Sequence, residues 1–401
     1  MKFFDKGELR VLWPFYLDAL LSPMLFFAPA FMIIYFLGLN LSLFQIGILM
    51  TMSPIASLLF EIPTGAIADL YGRKFSVLLG YFLEGISLLL LFFVKDYYSI
   101  LLIFAFSGIA VTFSSGAKEA WVVDLIKNKN KRLVHSYFSK SQSFDAFAVV
   151  VSGIIGSLFV KFFGLSVIWI IGFFSYILAV LILLFASEMH IRKKFSRKDS
   201  FSNLKKQSII SLKYARHHPV ILYLFIGLFF STIAFLFGEY LSFVPFLKSL
   251  GFPDYAFGYF WSAIWALMII APLLSRTFMK KGKEIKLMIW ATIIGSLILL
   301  LTFFAKNYAY ALIVIFFSLF FYGLQNPVSR TYFHKFIPNK LRATIGSIRG
   351  MISSLGGIIG LPLGGYLIDL IGARYVIIIS ALLAIPTVIF YLKIKESKKR
   401  G

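Results

Sequence analysis

The chain has 401 residues, of which 60% are hydrophobic and 14% charged, and its mean hydropathy is +0.88. A soluble domain has about 25% charged residues, so this composition excludes an ordinary water-soluble protein and favours one embedded in a membrane. The formal net charge is +23, and the lack of cysteine excludes disulfides, thiolate metal sites and thiol catalysis.

Apolar runs recur along the whole chain, and each is long enough to cross a hydrocarbon core of about 30 Å. Backbone groups in lipid must be hydrogen-bonded within their own segment, so these runs are predicted to be helices. The predicted spans in chain order are 11–38, 44–70, 75–94, 98–126, 135–163, 165–187, 219–247, 254–279, 285–305, 308–334, 341–371 and 373–393. No small-residue cleavage site ends the first run, which predicts a retained helix.

A polar segment at 188–218, rich in Lys, Arg and Ser, divides the predicted spans into two sets of six. The sequence therefore predicts an all-α integral membrane protein with twelve transmembrane helices. Its parts are an N-terminal six-helix bundle at 1–187, a cytoplasmic linker at 188–218 and a C-terminal six-helix bundle at 219–401. Two bundles joined by one linker are typical of transporters built from repeats.

The basic residues are concentrated on one side of the predicted membrane. If the N-terminus is cytoplasmic, about 30 of the 40 Lys and Arg lie in inner loops and tails, and about five lie in outer loops. This asymmetry predicts a multi-pass plasma-membrane protein with both termini in the cytoplasm. Topology and attraction to anionic lipid explain the positive charge, so no nucleic-acid partner is expected.

The turn between predicted spans 2 and 3 reads Gly-Ala-Ile-Ala-Asp-Leu-Tyr-Gly-Arg-Lys at 65–74. Its two glycines permit a tight turn and a close approach to a neighbouring helix. The pattern G-x-x-x-D-x-x-G-R-K between two spans resembles the signature loop of the major facilitator superfamily. Segments 60–69, 115–124 and 341–347 also resemble sequences common among its drug-efflux-like members.

This resemblance implies the two-bundle fold of that superfamily and secondary transport by alternating access. It also implies that Asp69 approaches the start of helix 11, near 338–344, while the cytoplasmic side is closed, and that Arg73 pairs with Asp124. An anion at a helix N-terminus gains about 0.3–1 kcal/mol, so Asp69 would bias a two-state equilibrium. The predicted gating loop comprises Gly65, Asp69, Gly72, Arg73, Lys74 and Asp124.

The pattern of this turn recurs near the C-terminus. Gly65, Asp69, Leu70, Gly72 and Lys74 have counterparts at Gly365, Asp369, Leu370, Gly372 and Arg374. Inverted three-helix repeats would produce this relation, and chance matching in a biased sequence is the alternative.

Charged residues inside a span cost about 2.5–3.5 kcal/mol at the bilayer centre, so they usually face a cavity or a partner. The residues predicted to serve proton coupling or the substrate cavity are Asp18, Glu61, Glu119, Asp145, Glu239, Arg330 and Arg349. In the superfamily, helices 1, 4, 7 and 10 line the cavity, which favours Asp18, Glu119, Glu239 and Arg330 as cavity residues. Asp18 and Glu119 are the leading choices for coupling acids, with Asp145 and Glu61 behind them. Glu84, on helix 3, is the weakest candidate. The alternative is that these charges form structural ion pairs, such as Glu61 with Lys118.

The sequence thus predicts a monomeric secondary active transporter that carries out proton-coupled efflux of lipophilic or drug-like compounds. Aromatic rings attract cations, and an aromatic-lined cavity with a few acids would suit lipophilic cations. The alternatives are an uptake symporter or uniporter for a sugar, amino acid or organic acid, and a non-transporting membrane receptor. No Walker loop or H-E-x-x-H pattern is present, so neither an enzyme nor a cofactor is expected. The predicted partners are a small molecule, protons and the lipid bilayer.

Overall fold

The structure is a computed structural model that describes residues 4, 7–127, 131–188, 217–278, 283–337 and 342–399. Within these ranges the chain forms helices joined by turns, and twelve segments are long and apolar enough to cross a membrane. The predicted number of spans is therefore confirmed, and most of the observed ends lie within a few residues of the predicted ones.

The twelve spans are labelled α1 to α12 in chain order. In the N-terminal half they are α1 (Glu8–Leu25 and Ala28–Gly38), α2 (Leu43–Tyr71), α3 (Arg73–Phe93), α4 (Tyr97–Ser114 and Ala117–Lys127), α5 (Lys131–Phe163) and α6 (Val167–Leu184). In the C-terminal half they are α7 (Pro219–Ala234, Phe235–Tyr240 and Phe243–Ser249), α8 (Asp254–Ala256 and Phe257–Phe278), α9 (Glu284–Leu300 and Leu301–Phe304), α10 (Tyr308–His334), α11 (Arg342–Ile371) and α12 (Ala373–Lys399).

Three of these spans are interrupted near their middle. In α1 the first helix ends at Leu25, and the second begins at Ala28 with Pro29 in its first turn, where the missing N–H of proline costs nothing. In α4 the interruption contains Gly116, which has φ +67°. In α7 the residues Phe235–Tyr240 form a π-helical turn, a feature frequent at functional sites. Each of them interrupts an α-helix that hydropathy alone predicts to be continuous.

The chain divides into two compact units, each with its own buried core. The first comprises 1–41, 49–195 and 253–265, and the second comprises 42–48, 196–252 and 266–401. Phe15, Trp121 and Tyr137 lie in the core of the first unit, and Met288 and Tyr332 lie in that of the second. The predicted linker falls mostly outside the described residues, so the boundaries at 188–218 stay a prediction.

Large apolar side chains cover the outward surfaces of the spans. Leu59, Phe93, Leu102, Phe162 and Phe185 are all strongly exposed. Contiguous apolar surface of this kind is unfavourable in water but is compatible with lipid acyl chains. This surface agrees with the composition in placing the helices in a bilayer.

The turn between α3 and α4 carries an exposed helix cap. The Asp96 carboxylate accepts a hydrogen bond from the Ser99 backbone N–H at 2.9 Å. This bond to the charged form lowers the pKa of Asp96 below its ordinary value. The cap fixes the residue at which α4 begins.

Candidate transport site and gating turns

The turn at 65–74 has the geometry that its glycines predict. α2 ends at Tyr71, α3 begins at Arg73, and Gly72 between them has φ +105° and ψ +151°. This region of backbone space is open to glycine and almost closed to other residues. Gly65 lies inside α2 with no neighbouring atom within 4 Å of the position of a Cβ, so glycine is required at position 72 and not at position 65.

Charged side chains of this turn bind the ends of two other helices. Arg73 forms the predicted ion pair with Asp124 of α4 and also donates to the Ala120 carbonyl. The Lys74 ammonium donates to the carbonyl oxygens of Leu184 and Ala186 at 2.7 and 2.8 Å, at the end of α6. A cation at a helix C-terminus is stabilised by the unpaired carbonyls there. The predicted pairing of Arg73 with Asp124 is therefore confirmed.

Asp69, the predicted gating acid, is exposed at the end of α2. Its predicted partner, the segment 338–344, lies outside the residues whose side chains the structure describes. The gating contact of Asp69 therefore stays a prediction.

The counterpart residue, Asp369, caps another helix. Its two carboxylate oxygens accept from the backbone N–H groups of Leu43 and Phe44, at 2.9 and 2.8 Å, in the first turn of α2. Close helix approach permits this contact, because a Cβ on Gly365 would lie 2.1 Å from the Leu43 carbonyl oxygen. Asp369 thus makes, at the start of α2, the kind of contact that is predicted for Asp69 at the start of helix 11.

The two turns correspond in further detail. Gly372 has φ +88° and separates α11 from α12, as Gly72 separates α2 from α3. Arg374 donates to the carbonyl oxygens of Phe303 and Ala305, at 3.2 and 2.7 Å, at the end of α9. Lys74 makes the equivalent contacts at the end of α6. These shared contacts favour inverted repeats over chance matching as the origin of the sequence similarity.

A buried ion pair lies in the interior of the N-terminal half. Asp18 of α1 is 1% exposed, and its Oδ2 atom is 2.5 Å from the Nζ atom of Lys118 of α4. Lys118 also lies over the ring of Tyr81, at 5.7 Å from its centre. Asp145 of α5 is half-buried and close enough to interact electrostatically with both Asp18 and Lys118. Two carboxylates and one ammonium are thus brought together.

The other predicted acids lie elsewhere. Glu61 and Glu119 are exposed, and neither forms an ion pair with the described part of the chain. Lys118 pairs with Asp18, so the suggested pair of Glu61 with Lys118 is not formed. The side chain of Glu239 lies outside the described residues.

The predicted arginines form a second charged group. Arg349 of α11 is half-buried and lies over the ring of Phe333, at 5.3 Å from its centre. Arg330 of α10 is exposed and close enough to repel Arg349 electrostatically. Among the side chains that the structure describes, no carboxylate pairs with either arginine.

Glu84, which the sequence ranks last, is one of the most buried acids. It lies at the middle of α3, is 7% exposed, and accepts a hydrogen bond from Ser107 of α4 at 2.9 Å. Helix 3 is not among the expected cavity-lining helices, so sequence reasoning gives this residue a low rank. Ser107 lies on α4 and could be associated with Glu84 only after the helices are packed. No group of three His, Asp or Glu in the described ranges is placed to hold a metal.

Twelve spans, two charged turns and charges inside the helices define a polytopic membrane protein. The chain belongs to the Major Facilitator Superfamily, whose sequence profile it matches over residues 16–361 and 284–401. It is 23% identical over 384 residues to the MFS-type transporter YxaM of Bacillus subtilis, covering 92% of this chain and 93% of that protein. It is also 25% identical to the MFS-type transporter MJ1560 of Methanocaldococcus jannaschii over 157 residues, 39% of this chain and 40% of that one.

Solved structures share the fold at low sequence identity. The nucleoside transporter NupG superposes with a TM-score of 0.77 at 15% identity, covering 95% of this chain and 98% of that one. A bacterial homologue of the iron transporter ferroportin gives 0.76 at 16% identity, with coverage of 96% and 98%. A bacterial homologue of the lysosomal transporter Spinster gives 0.75 at 14% identity, covering 98% of each chain. The chain therefore shares its fold with these proteins, two of which are named for nucleosides and for iron.

Proposed function

We propose that the chain is a proton-coupled secondary transporter that exports small, mostly lipophilic compounds by alternating access. The observation that carries this proposal is the group formed by the buried Asp18 with the partly buried Lys118 and Asp145. When all three are charged, one negative charge is left without a partner. A buried, uncompensated charge is costly, so binding of one proton to either carboxylate stabilises the group.

Such a group can link proton binding to conformation. A coupling acid must gain a proton in one state and lose it in another, which happens when its exposure to water or its ion pairing changes. Asp18 lies on α1 and Lys118 lies just after the interruption in α4, so movement of either helix segment changes their distance. Asp18 and Asp145 become the leading coupling acids, and Glu119, the other sequence-based choice, ranks below them because it is exposed.

The decisive experiment compares two kinds of flux in proteoliposomes. Asp18→Asn and Asp145→Asn are each expected to abolish transport driven by a pH gradient while keeping substrate counterflow, which needs no net proton movement. Glu119→Gln and Glu61→Gln, in exposed positions, are expected to keep both activities. Full pH-driven transport by both aspartate variants would overturn proton coupling at this group.

We further propose that Asp69 stabilises the state closed to the cytoplasm. Its support is the matching contact of Asp369 with the start of α2. Asp69→Asn is expected to make a cysteine at the cytoplasmic start of helix 11 more accessible to a maleimide. Unchanged accessibility together with normal flux would exclude this role.

The arginines of the C-terminal half favour a second candidate function, transport of an organic acid. Arg330 and Arg349 place two cations close together, and arginine binds carboxylates through paired hydrogen bonds. A thermal-shift screen of the purified protein with lipophilic amines and with organic acids separates the two substrate classes. Stabilisation by acids that is lost in Arg349→Gln would favour the second function.

The proposed setting is a monomer in the plasma membrane with both termini in the cytoplasm. The distribution of Lys and Arg supports this orientation. Transport of a chemically unchanged substrate needs no catalytic residue, which agrees with the expectation that the protein is not an enzyme.

A further inference from the structure

A small cavity lies inside the N-terminal half, among α1, α3, α4 and α6. Its volume is about 90 Å³, and its walls are mostly apolar and aromatic, with Phe26, Met32, Phe104 and Trp169 among them. Phe26 belongs to the interruption of α1, so the cavity touches the point at which that span is broken. The charged side chain in its wall is Glu84.

The Glu84 carboxylate is only partly satisfied. Its Oε1 atom accepts from the Ser107 hydroxyl at 2.9 Å, and its Oε2 atom makes no hydrogen bond within the described residues. No lysine or arginine of the described part forms an ion pair with it. An unpaired carboxylate in a low-dielectric interior is neutralised by a bound proton or cation.

The chemistry of the walls favours a proton over a metal cation. Oxygen-binding metal ions such as Ca²⁺ and Mg²⁺ take six or more oxygen ligands. The side chains at the cavity that carry oxygen are Glu84, Ser107 and Ser87, and the Ser87 hydroxyl already donates to the Leu83 carbonyl. A proton needs a single oxygen, and Oε2 supplies one.

We propose that Glu84 is a proton-binding site, separate from the group of Asp18, Lys118 and Asp145. The proton is held while the cavity is dry and is released when rearrangement of α1 at Phe26 admits water. This gives the N-terminal half a second protonatable carboxylate whose occupancy depends on the conformation of α1.

Titratable groups on the neighbouring helices connect the two sites. Tyr176 of α6 interacts electrostatically with Glu84 and also with Tyr81, Asp18 and Lys118. The rings of Tyr176 and Tyr81 are 5.6 Å apart, and Lys118 lies over Tyr81. Protonation of Glu84 is therefore expected to change the electrostatic environment of the ion pair between Asp18 and Lys118.

Infrared difference spectroscopy of the purified protein, recorded as pH is raised, tests the proposal directly. The carbonyl band of a protonated carboxyl group is expected to disappear with rising pH in the wild type and to be absent in Glu84→Gln. Ser107→Ala removes one hydrogen bond and keeps the acid, so the same band is expected at a shifted frequency. That shift identifies the band as Glu84 even if Glu84→Gln folds poorly.

Two control variants and the addition of Na⁺ make the outcome decisive. Asp18→Asn and Asp145→Asn are expected to keep the band, so its presence distinguishes the Glu84 site from the proposed coupling group and does not depend on that group's transport test. A wild-type spectrum identical to that of well-folded Glu84→Gln, with no band moved by Ser107→Ala, would overturn the proposal. Loss of the band on adding Na⁺ at constant pH would also overturn it, in favour of a metal-cation site.

Discussion

Asp18 and Lys118 illustrate how a buried charge constrains its neighbours. Desolvating two charges is expensive, and their attraction offsets this cost only while both are present. Removing one partner is therefore expected to destabilise the protein more than removing both. Because Lys118 is 26% exposed, water screens part of the attraction between the two charges and lowers the cost of removing one of them.

The first prediction compares single and double variants of this ion pair. Lys118→Met leaves the Asp18 carboxylate buried without its cation. Breaking such a pair costs about 3–5 kcal/mol of stability, and we expect a loss at the lower end of this range because Lys118 is partly exposed. Asp18→Asn combined with Lys118→Met removes both charges and is expected to recover most of the loss. Thermal unfolding in detergent, followed by tryptophan fluorescence, measures both.

Lys306→Met serves as the control, since this lysine is exposed in the turn between α9 and α10 and its replacement is expected to leave the unfolding temperature unchanged. A double variant as unstable as Lys118→Met would contradict the prediction. It would mean that packing of the lysine stem, and not its charge, stabilises this region.

At the scale of elements, the α2–α3 turn depends on one glycine and not on the other. A Cβ at position 72 would lie 2.9 Å from the Glu188 carboxylate, in a backbone conformation that is nearly restricted to glycine. Gly72→Ala is therefore expected to destabilise the protein by about 1–3 kcal/mol. Gly65→Ala is expected to be neutral or to stabilise α2 by up to about 1 kcal/mol.

Thermal unfolding of the two alanine variants, which differ only in position, tests this difference. Equal stability of the two variants would show that the backbone of the turn relaxes around the added methyl group. In that case the glycine pattern of the loop would need a functional explanation in place of a conformational one.

The Asp369 cap gives a prediction about accessibility. Its carboxylate satisfies two N–H groups at the start of α2, where an anion is also stabilised by the helix dipole. Asp369→Ala is expected to loosen this end of α2 from α11. A cysteine that replaces buried Ile46 should then react faster with an impermeant maleimide added from outside.

Asp96→Ala is the matched control, because Asp96 is an exposed acid that caps its own helix, α4. It is expected to leave the reactivity of the cysteine at position 46 unchanged. Asp369→Asn keeps one acceptor oxygen, so the reactivity in this variant should lie between that in Asp369→Ala and that in the wild type. Equal reactivity in all variants would mean that the glycine contacts alone hold α2 and α11 together.

The sequence predicts elements better than it predicts contacts between them. Hydropathy finds all twelve spans because lipid requires long apolar helices. The interruptions at Phe26 and Gly116 escape it, since the residues on both sides are equally apolar. The family resemblance predicts the pair of Arg73 and Asp124. The contact of Glu84 with Ser107 depends on helix packing, which the sequence does not give. The same holds for Lys118, whose partner is Asp18 and not Glu61.

At the scale of the whole molecule, fold and function are specified by different residues. NupG and the bacterial homologue of ferroportin share this fold at 15–16% identity, although one is named for nucleosides and the other for iron. Function on a common fold resides in the site. In this chain the candidate residues are charges inside the spans. Asp18 and Glu84 are buried, and Lys118, Asp145 and Arg349 are partly buried.

The distribution of charge also predicts how the whole chain crosses the membrane. Cytoplasmic loops retain Lys and Arg, and about 30 of the 40 basic residues lie on one side of the twelve spans. Single cysteines at positions 129, 200 and 398 are therefore expected to react with an impermeant maleimide only after cells are permeabilised. Cysteines at positions 40 and 306 should react in intact cells.

The natural chain has no cysteine, so the unmodified protein provides a control without background labelling. Position 200 is the decisive site, because the basic segment around it joins the two sets of six helices. Labelling there in intact cells would reverse the orientation of both sets at once. It would also place Asp69 outside and Asp369 inside, exchanging the sides at which the two aspartates are proposed to act.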